Sequence, residues 1–398
     1  MGGVTLRIGP HEVATPVVLA PMAGITNQAF RRLCREAMAS QGGQGVFVSE
    51  MVTSRALLER NDESLRLVAH DPDESPRSVQ LYGVDPGTVA AAVRMLVGED
   101  RADHVDLNFG CPVPKVTRKG GGSALPWKSG LFAAIVGQAV RAASPYGVPV
   151  TVKMRKGIDD DHLTYLEAGR IAEAEGAACV ALHARTAADY YSGTADWPAV
   201  ARLKQAVTSI PVLGNGDIWT ADDALAMVAR TGCDGVVVGR GCLGRPWLFA
   251  DLAAAFAGRP ERLAPTLGEV LATMRRHLLA LAEHYAVTAG ARSEGSRIAE
   301  QRACRDIRKH IAWYLKGYSV GPDVRVRLAL VESLEAFDAL AGTLDGDQPH
   351  PGEVAEGPRG RAGSPRRVAL PDGWLDGRDL DDLAAADICA AELSVSGG

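Results

Sequence analysis

A cysteine closes an apolar run in Asp106-Leu107-Asn108-Phe109-Gly110-Cys111-Pro112, and a glycine triplet, Gly120-Gly121-Gly122, follows within a dozen residues. Gly110 permits unusual backbone angles and Pro112 cannot extend a ladder, so the chain must turn here and present Cys111. A thiol so placed can act as a nucleophile or give up a proton. The other six cysteines, Cys34, Cys179, Cys233, Cys242, Cys304 and Cys389, lack such a setting and read as small buried hydrophobes. Seven is an odd count, no pair has Cys-x-x-Cys spacing, and no cluster offers four Cys or His ligands. Neither a disulfide framework nor a metal site is therefore expected.

Other polar side chains fall at the ends of apolar runs: Glu50, Gln80, Asn108, Lys153, Arg155, His183, Arg185, Asn215, Asp217 and Arg240. Taken alone, Lys153 reads as a snorkelling lysine and His183 as a satisfied core histidine. With Gln80 and Asn108 they form a set of amide, cation and imidazole groups that suits a flat heteroaromatic ring such as a flavin. Two glycine-bearing turns, Gly214-Asn215-Gly216-Asp217 and Gly239-Arg240-Gly241, can bring backbone N–H groups close to a phosphate, with Arg240 adding charge. Flavin mononucleotide (FMN) with its phosphate at these turns fits the set, and Cys111 would then lie beside the ring as a proton donor.

The elements that must position these residues are eight short β-branched runs, 17–22, 45–50, 78–83, 104–109, 148–155, 178–185, 210–217 and 234–240, alternating with helical patterns. Strands that alternate with helices imply parallel βα units, and eight of them over about 230 residues predict a (β/α)8 TIM barrel. In a barrel the C-terminal strand ends share one face, where barrel enzymes keep their active sites.

After 247–256 the pattern becomes helical, with apolar spacing over 265–289, 298–315 and 324–340, which predicts a small all-α domain. Domain boundaries are expected at 1–255, 256–344 and 345–398. Nine Lys and Arg residues face four acids between 292 and 327, with His310, Trp313 and Tyr314 interleaved. Such a helix can grip phosphates and stack on bases, and Arg305 and Arg308 are the candidates; the plainer reading is a solvated basic face over core aromatics. Beyond 344 the chain is rich in Gly, Pro and acids, with eleven acids against five arginines. A flexible linker is expected over 346–371 and a short acidic helix over 380–393.

The 398 residues are 46% apolar and 23% charged, with a net charge of -5 that argues weakly against a nucleic-acid partner. No apolar run reaches the roughly 18 residues of a spanning helix. Arg7, Pro10 and Glu12 break any leader-like stretch, so a soluble, reduced, cytoplasmic protein without a membrane partner is expected.

The motifs together resemble the tRNA-dihydrouridine synthases, most closely the bacterial B-type subfamily. The resemblance runs from Leu19-Ala20-Pro21-Met22-Ala23-Gly24-Ile25-Thr26-Asn27 through the Cys111 motif and 115–125 to Val152-Lys153-Met154-Arg155. It continues with His183-Ala184-Arg185-Thr186, Tyr191-Ser192-Gly193-Thr194-Ala195-Asp196-Trp197, Asn215-Gly216-Asp217-Ile218, 234–247 and 308–317, so that about the first 340 residues are covered. It implies FMN contacts from Pro21, Met22, Ala23, Gln80, Lys153, His183, Asn215, Gly216, Asp217, Gly239 and Arg240. It also implies substrate-side places for Asn108 and Arg185, and a general-acid role for Cys111. The implied reaction reduces the C5–C6 bond of a tRNA uridine, with hydride from reduced FMN to C6 and a proton from Cys111 to C5. NADPH or NADH would be the transient reductant, tRNA the partner, and a monomer without metal the working form.

Two positions depart from the family pattern: Phe109, where Met is frequent, and Asp189, where Gln is frequent. Two other readings stand beside this one. The first is an FMN barrel reducing a free pyrimidine, which a helical domain disfavours. The second is a tRNA-binding factor with a decayed flavin site, which intact Cys111, Lys153 and Asn215 disfavour.

Overall fold

Parallel strands rich in Val and Leu close on themselves in this computed structural model, which describes residues 5–289, 293–360 and 362–380. A hairpin of β1 (Leu6–Ile8) and β2 (His11–Val13) comes first. The barrel follows: β3 (Val17–Leu19), β4 (Val46–Thr53), β5 (Ser78–Tyr82), β6 (His104–Phe109), β7 (Val150–Arg155), β8 (Cys179–His183), β9 (Val212–Asn215) and β10 (Gly235–Val238), with β10 pairing β3 to close the ring. The (β/α)8 expectation holds, and all eight expected runs are barrel strands.

Register matters because it decides which polar groups meet. Gln80 lies level with Asp106, Asp106 with Thr151, Asn108 with Lys153, Arg155 with His183, and His183 with Asn215. Strand side chains alternate between faces. The outward residues, such as Val105, Leu107, Val152, Val180 and Leu182, meet the crossover helices in the main apolar core. The inward apolar residues form a smaller cluster of Val18, Val46, Val48, Ala181, Leu213 and Val237 with Leu6, Ile8 and Val13. The hairpin thus packs against the barrel's interior residues. Its three-residue strands are too short to leave a periodic signal, and the sequence reading missed them.

The first crossover helix, Gln28–Ala39, begins at Asn27, whose side chain accepts from Phe30 N. Its Arg31 is buried and bonded to Glu74, with Nε 2.6 Å from the carboxylate, and to the carbonyls of Thr26 and Ala69. The Met22–Asn27 loop after β3 is thereby tied to the loop before β5.

Helices Leu267–Ala289, Ser293–Tyr314, Pro322–Ala329 and Leu334–Ala341 form the expected helical region around a second apolar cluster. The helix expected over 324–340 is two, because Ser333 starts a new one by accepting from Ala336 N. His310 and Tyr314 are almost fully buried, packed with Phe30 and His277. They are core aromatics rather than base-stacking groups, because the apolar stripe of their helix packs on the helix Leu267–Ala289.

The segment expected to be a flexible linker, 346–371, is instead docked over its described residues. Leu267 N donates to Gln348 O, Gly268 N to Gly346 O, and Arg366 N to Ala188 O. Arg359 is 5% exposed and reaches the carbonyls of Leu243, Trp313 and Ala355. Composition suggested disorder, yet backbone bonds and the buried Ala355 and Arg359 anchor the segment, while 362–367 stay exposed. The acidic helix expected over 380–393 lies almost wholly outside the described residues. Among those described, no helix is long and apolar enough to cross a membrane, and no group of three or more His, Cys, Asp or Glu could hold a metal ion.

Candidate active site

Cys111 follows β6 in a turn held from both sides. The N–H groups of Gly110 and Cys111 both donate to Asn108 Oδ1 at 3.0 Å, and the Cys111 carbonyl accepts from Ser123 N and Ser123 Oγ at 3.0 Å. Gly122 sits at φ +54°, and a Cβ there would come within 2.5 Å of the Cys111 carbonyl oxygen. Only glycine therefore lets the 120–124 turn close on the cysteine. Burial raises the Cys111 thiol above its ordinary pKa against the opposing effects of a Val113 backbone contact and the Arg155 charge, so it stays protonated at neutral pH.

Asn108 is oriented by a chain of buried polar groups inside the barrel. Its Nδ2 donates to Gln80 Oε1 at 2.9 Å, Gln80 Nε2 to Asp106 Oδ2 at 2.7 Å, and Thr151 Oγ1 to Asp106 Oδ1 at 2.6 Å. His104 continues the chain to Thr151 and Ser78. Burial lifts Asp106 to about 6, and bonds from Thr151 and Gln80 partly oppose it. Sequence reasoning singled out Gln80 and Asn108 but missed Asp106. Its signal was the alternation of His104, Asp106 and Asn108 with Val105, Leu107 and Phe109, which puts three polar groups on the inner face.

Lys153 and His183 come from neighbouring β7 and β8. Lys153 Nζ donates to Asn215 Oδ1 at 3.2 Å, while Asn215 Nδ2 donates to Val237 O, which sets the amide's direction. Burial, helped by Arg155, lowers Lys153 to about 8. His183 is held well below its ordinary value by burial and then by Arg155, Lys153, Arg185 and Arg240, so its imidazole is neutral.

A cleft opens beside these residues, lined by Pro21, Met22, Lys153, His183, Tyr191, Asn215, Gly216, Asp217, Trp219, Gly239 and Arg240. Most of the expected cofactor residues are therefore gathered at one place. Gln80 is fully buried within the barrel. Ala23 belongs to the same loop as Met22, whose N–H donates to Thr26 Oγ1. The Arg240 guanidinium lies 4.4 Å from the Tyr191 ring centre and 5.0 Å from that of Trp219. Tyr191 and Trp219 were not singled out as site residues, although an aromatic beside a glycine turn was the available signal.

Arg185 departs from its expected substrate-side place. It is 2% exposed, and donates to Ser192 O, Gly193 O and Asp217 Oδ2. Asp217, at φ +53°, accepts from its Nη2 at 2.9 Å and holds the guanidinium against that loop. Asp217 Oδ2 also accepts from Ala195 N at 2.7 Å. Asp189 accepts from Thr186 N at 2.8 Å and so closes its own turn, while Phe109 packs edge-on against Phe132 at 4.6 Å. Both departures from the family pattern thus have local structural roles.

Arg305 is exposed and lines an open groove with Asp62, Glu63, Arg66, Tyr285, Arg302 and Asp306, whereas Arg308 is half-buried. Lys309 and Asp306 pair with each other, and Asp306 also accepts from Asn27 and Tyr285. This joins the helical region to the loop after β3.

Residues 18–342 match the family model of dihydrouridine synthase (Dus). A probable tRNA-dihydrouridine synthase of Mycobacterium tuberculosis (strain ATCC 25618 / H37Rv) is 59% identical over 395 residues, which covers 99% of this chain and 97% of that protein. One from Mycobacterium leprae is 55% identical over 402 residues, covering 96% and 100%. The tRNA-dihydrouridine synthase B of Pseudomonas aeruginosa is 38% identical over 339 residues, covering 85% and 94%.

Proposed function

The chain belongs to the dihydrouridine synthase family, and on that premise we propose that it binds FMN and uses NAD(P)H to reduce the C5–C6 double bond of uridines in tRNA. It is an oxidoreductase, a tRNA-dihydrouridine synthase. The observation that carries the finer reading is that Lys153 and His183 line the cleft between the Asn215–Asp217 and Gly239–Arg240 turns, with Cys111 within electrostatic reach of Lys153.

The residues present suit FMN. Arg185 Nη1 and Asp217 Oδ1 are buried without a hydrogen-bond partner, one a donor and the other an acceptor, although the side chains pair through Nη2 and Oδ2 and the Arg240 guanidinium lies 3.7 Å from Oδ1. A ribityl hydroxyl and a phosphate oxygen are the complementary groups. Asn215, Gly216, Asp217, Gly239 and Arg240 would hold the ribityl phosphate, and Pro21, Met22, Ala23, Gln80, Lys153 and His183 the ring system. When bound, FMN supplies the reducing electrons, drawn from NAD(P)H and delivered as hydride to C6 of the base.

The chain's own residues do the rest. Cys111 gives the proton on Sγ to C5 and is left as a thiolate that solvent reprotonates. Its raised pKa favours the protonated form that this step consumes. Lys153, charged below about 8, steadies negative charge developing on the uracil carbonyl. Asn108 orients the Cys111 turn from the substrate side, and Arg185 shapes the 186–196 loop from beneath. A uridine stacked within tRNA cannot reach a barrel mouth, so the base must be extruded. The exposed Arg305, with Arg308 behind it, grips the RNA backbone. On this reading the enzyme works as a monomer in the cytoplasm, where its tRNA substrate is found.

Cys111→Ala tests this reading. The variant should retain its flavin absorbance and lose about a hundredfold or more of its uridine reduction, the usual contribution of a positioned acid. Full activity in tRNA from cells lacking the enzyme would remove Cys111 from the reaction.

A further inference from the structure

Beyond the family-matched residues, the chain runs back across the barrel face as a strap. It leaves the helical region near Gly346, passes Gly360 beside the Arg240 side chain, and meets the loop after β8 at Arg366. The Arg366 guanidinium lies 4.2 Å from the Tyr190 ring centre. The strap then reaches the loop that follows Cys111.

There Trp374 is wedged in. It is 4% exposed, and its Nε1 donates to the Ala124 carbonyl at 3.1 Å. Gly120, at φ +73°, makes room for it: a Cβ at that position would lie 2.4 Å from the indole ring. The next residues of the strap are fastened in turn. Lys128 Nζ donates to the carbonyls of Gly377 and Asp379 at 2.7 and 3.0 Å, and Arg378 Nε to the Trp127 carbonyl at 2.7 Å.

Gly120 and Ala124 flank the two residues that hold the cysteine. Between them, Gly122 allows close approach to the Cys111 carbonyl, and Ser123 donates to that carbonyl through both N and Oγ. We propose that Trp374 is a positioning residue for Cys111: by fixing the 120–124 turn from outside, it fixes the backbone from which the thiol reaches the base. The inference rests on Cys111 being the proton donor. It adds that the catalytic geometry of this chain is completed by a segment outside the matched barrel and helices.

Three measurements on the full-length holoenzyme test it. In Trp374→Ala, reduction of the flavin by NAD(P)H should keep its wild-type rate, because Cys111 takes no part in it. Reduction of tRNA uridine by the pre-reduced variant should fall about tenfold or more. Alkylation of Cys111 by iodoacetamide, followed on its own peptide, should change severalfold as the turn loosens. Trp374→Phe, which keeps a ring in the wedge but loses the bond to Ala124, should fall between wild type and Trp374→Ala in both uridine reduction and alkylation. A wild-type alkylation rate in Trp374→Ala overturns the inference, as does an equal loss in both half-reactions, which marks a purely structural role. Full uridine reduction by Cys111→Ala instead overturns the assignment of the donor itself, a result the alkylation rate does not share.

Discussion

Two groups that burial shifts in opposite directions sit at the mouth of the barrel. Cys111 must be protonated to act, and burial pushes its pKa up; Lys153 must be charged to act, and burial pulls it down to about 8. Both working forms are the protonated ones, so uridine reduction is lost as pH rises, and the group with the lower pKa fails first. The rate of the pre-reduced enzyme should therefore hold at neutral pH and decline as pH passes about 8, the value for Lys153. In Lys153→Arg the guanidinium stays charged, and the decline should move to the higher pH at which Cys111 deprotonates. A decline that stays in place in that variant would assign it to another group. Cys111 itself was legible in the sequence, because Gly110 and Pro112 force a turn around it. Arg185 was less so: its guanidinium looked available for substrate, and only the structure reveals that Nε and Nη2 are engaged by Ser192, Gly193 and Asp217 while Nη1 is left without a hydrogen bond.

The elements explain how these residues are brought into register. Parallel pairing sets Gln80 beside Asp106 and Asn108 beside Lys153, so one chain of hydrogen bonds runs from inside the barrel to the Cys111 turn. The eight strands were legible because β-branched runs ended repeatedly in polar residues. Asp106 was not, since a carboxylate within a strand is expected to be penalised unless its partners are known. Positioning also depends on the first crossover helix, where the Arg31–Glu74 pair is buried on both sides. Removing one partner of such a pair strands the other charge, at a cost of about 3–5 kcal/mol. Glu74→Ala should lower the unfolding free energy, read from denaturant titration, by an amount in that range and loosen the Met22–Asn27 loop. A loss below about 1 kcal/mol, typical of an exposed pair, would mean that Arg31 is satisfied by Thr26 and Ala69 alone.

At the scale of the whole molecule, the barrel, the helical region and the strap meet around one opening. Asp306 and Lys309 join the helices to the loop after β3, while Trp374 joins the strap to the loop after β6. The helices were legible from their apolar spacing. The strap was not, because its Gly- and Pro-rich composition hides the long-range contacts of Arg359 and Trp374 that fix it. The buried aromatics of Ser293–Tyr314 were open to two readings until their packing was seen. The open groove beside the helices carries Arg66, Arg302 and Arg305 against Asp62, Glu63 and Asp306, so its charges balance. The most direct test reduces the purified protein with NADPH in the absence of oxygen and follows its flavin spectrum on mixing with tRNA that lacks dihydrouridine. The flavin should reoxidise in step with the appearance of dihydrouridine, and free uridine or orotate should leave it reduced. Equal reoxidation by a free pyrimidine, or tRNA binding by a protein that carries no flavin, would contradict the account.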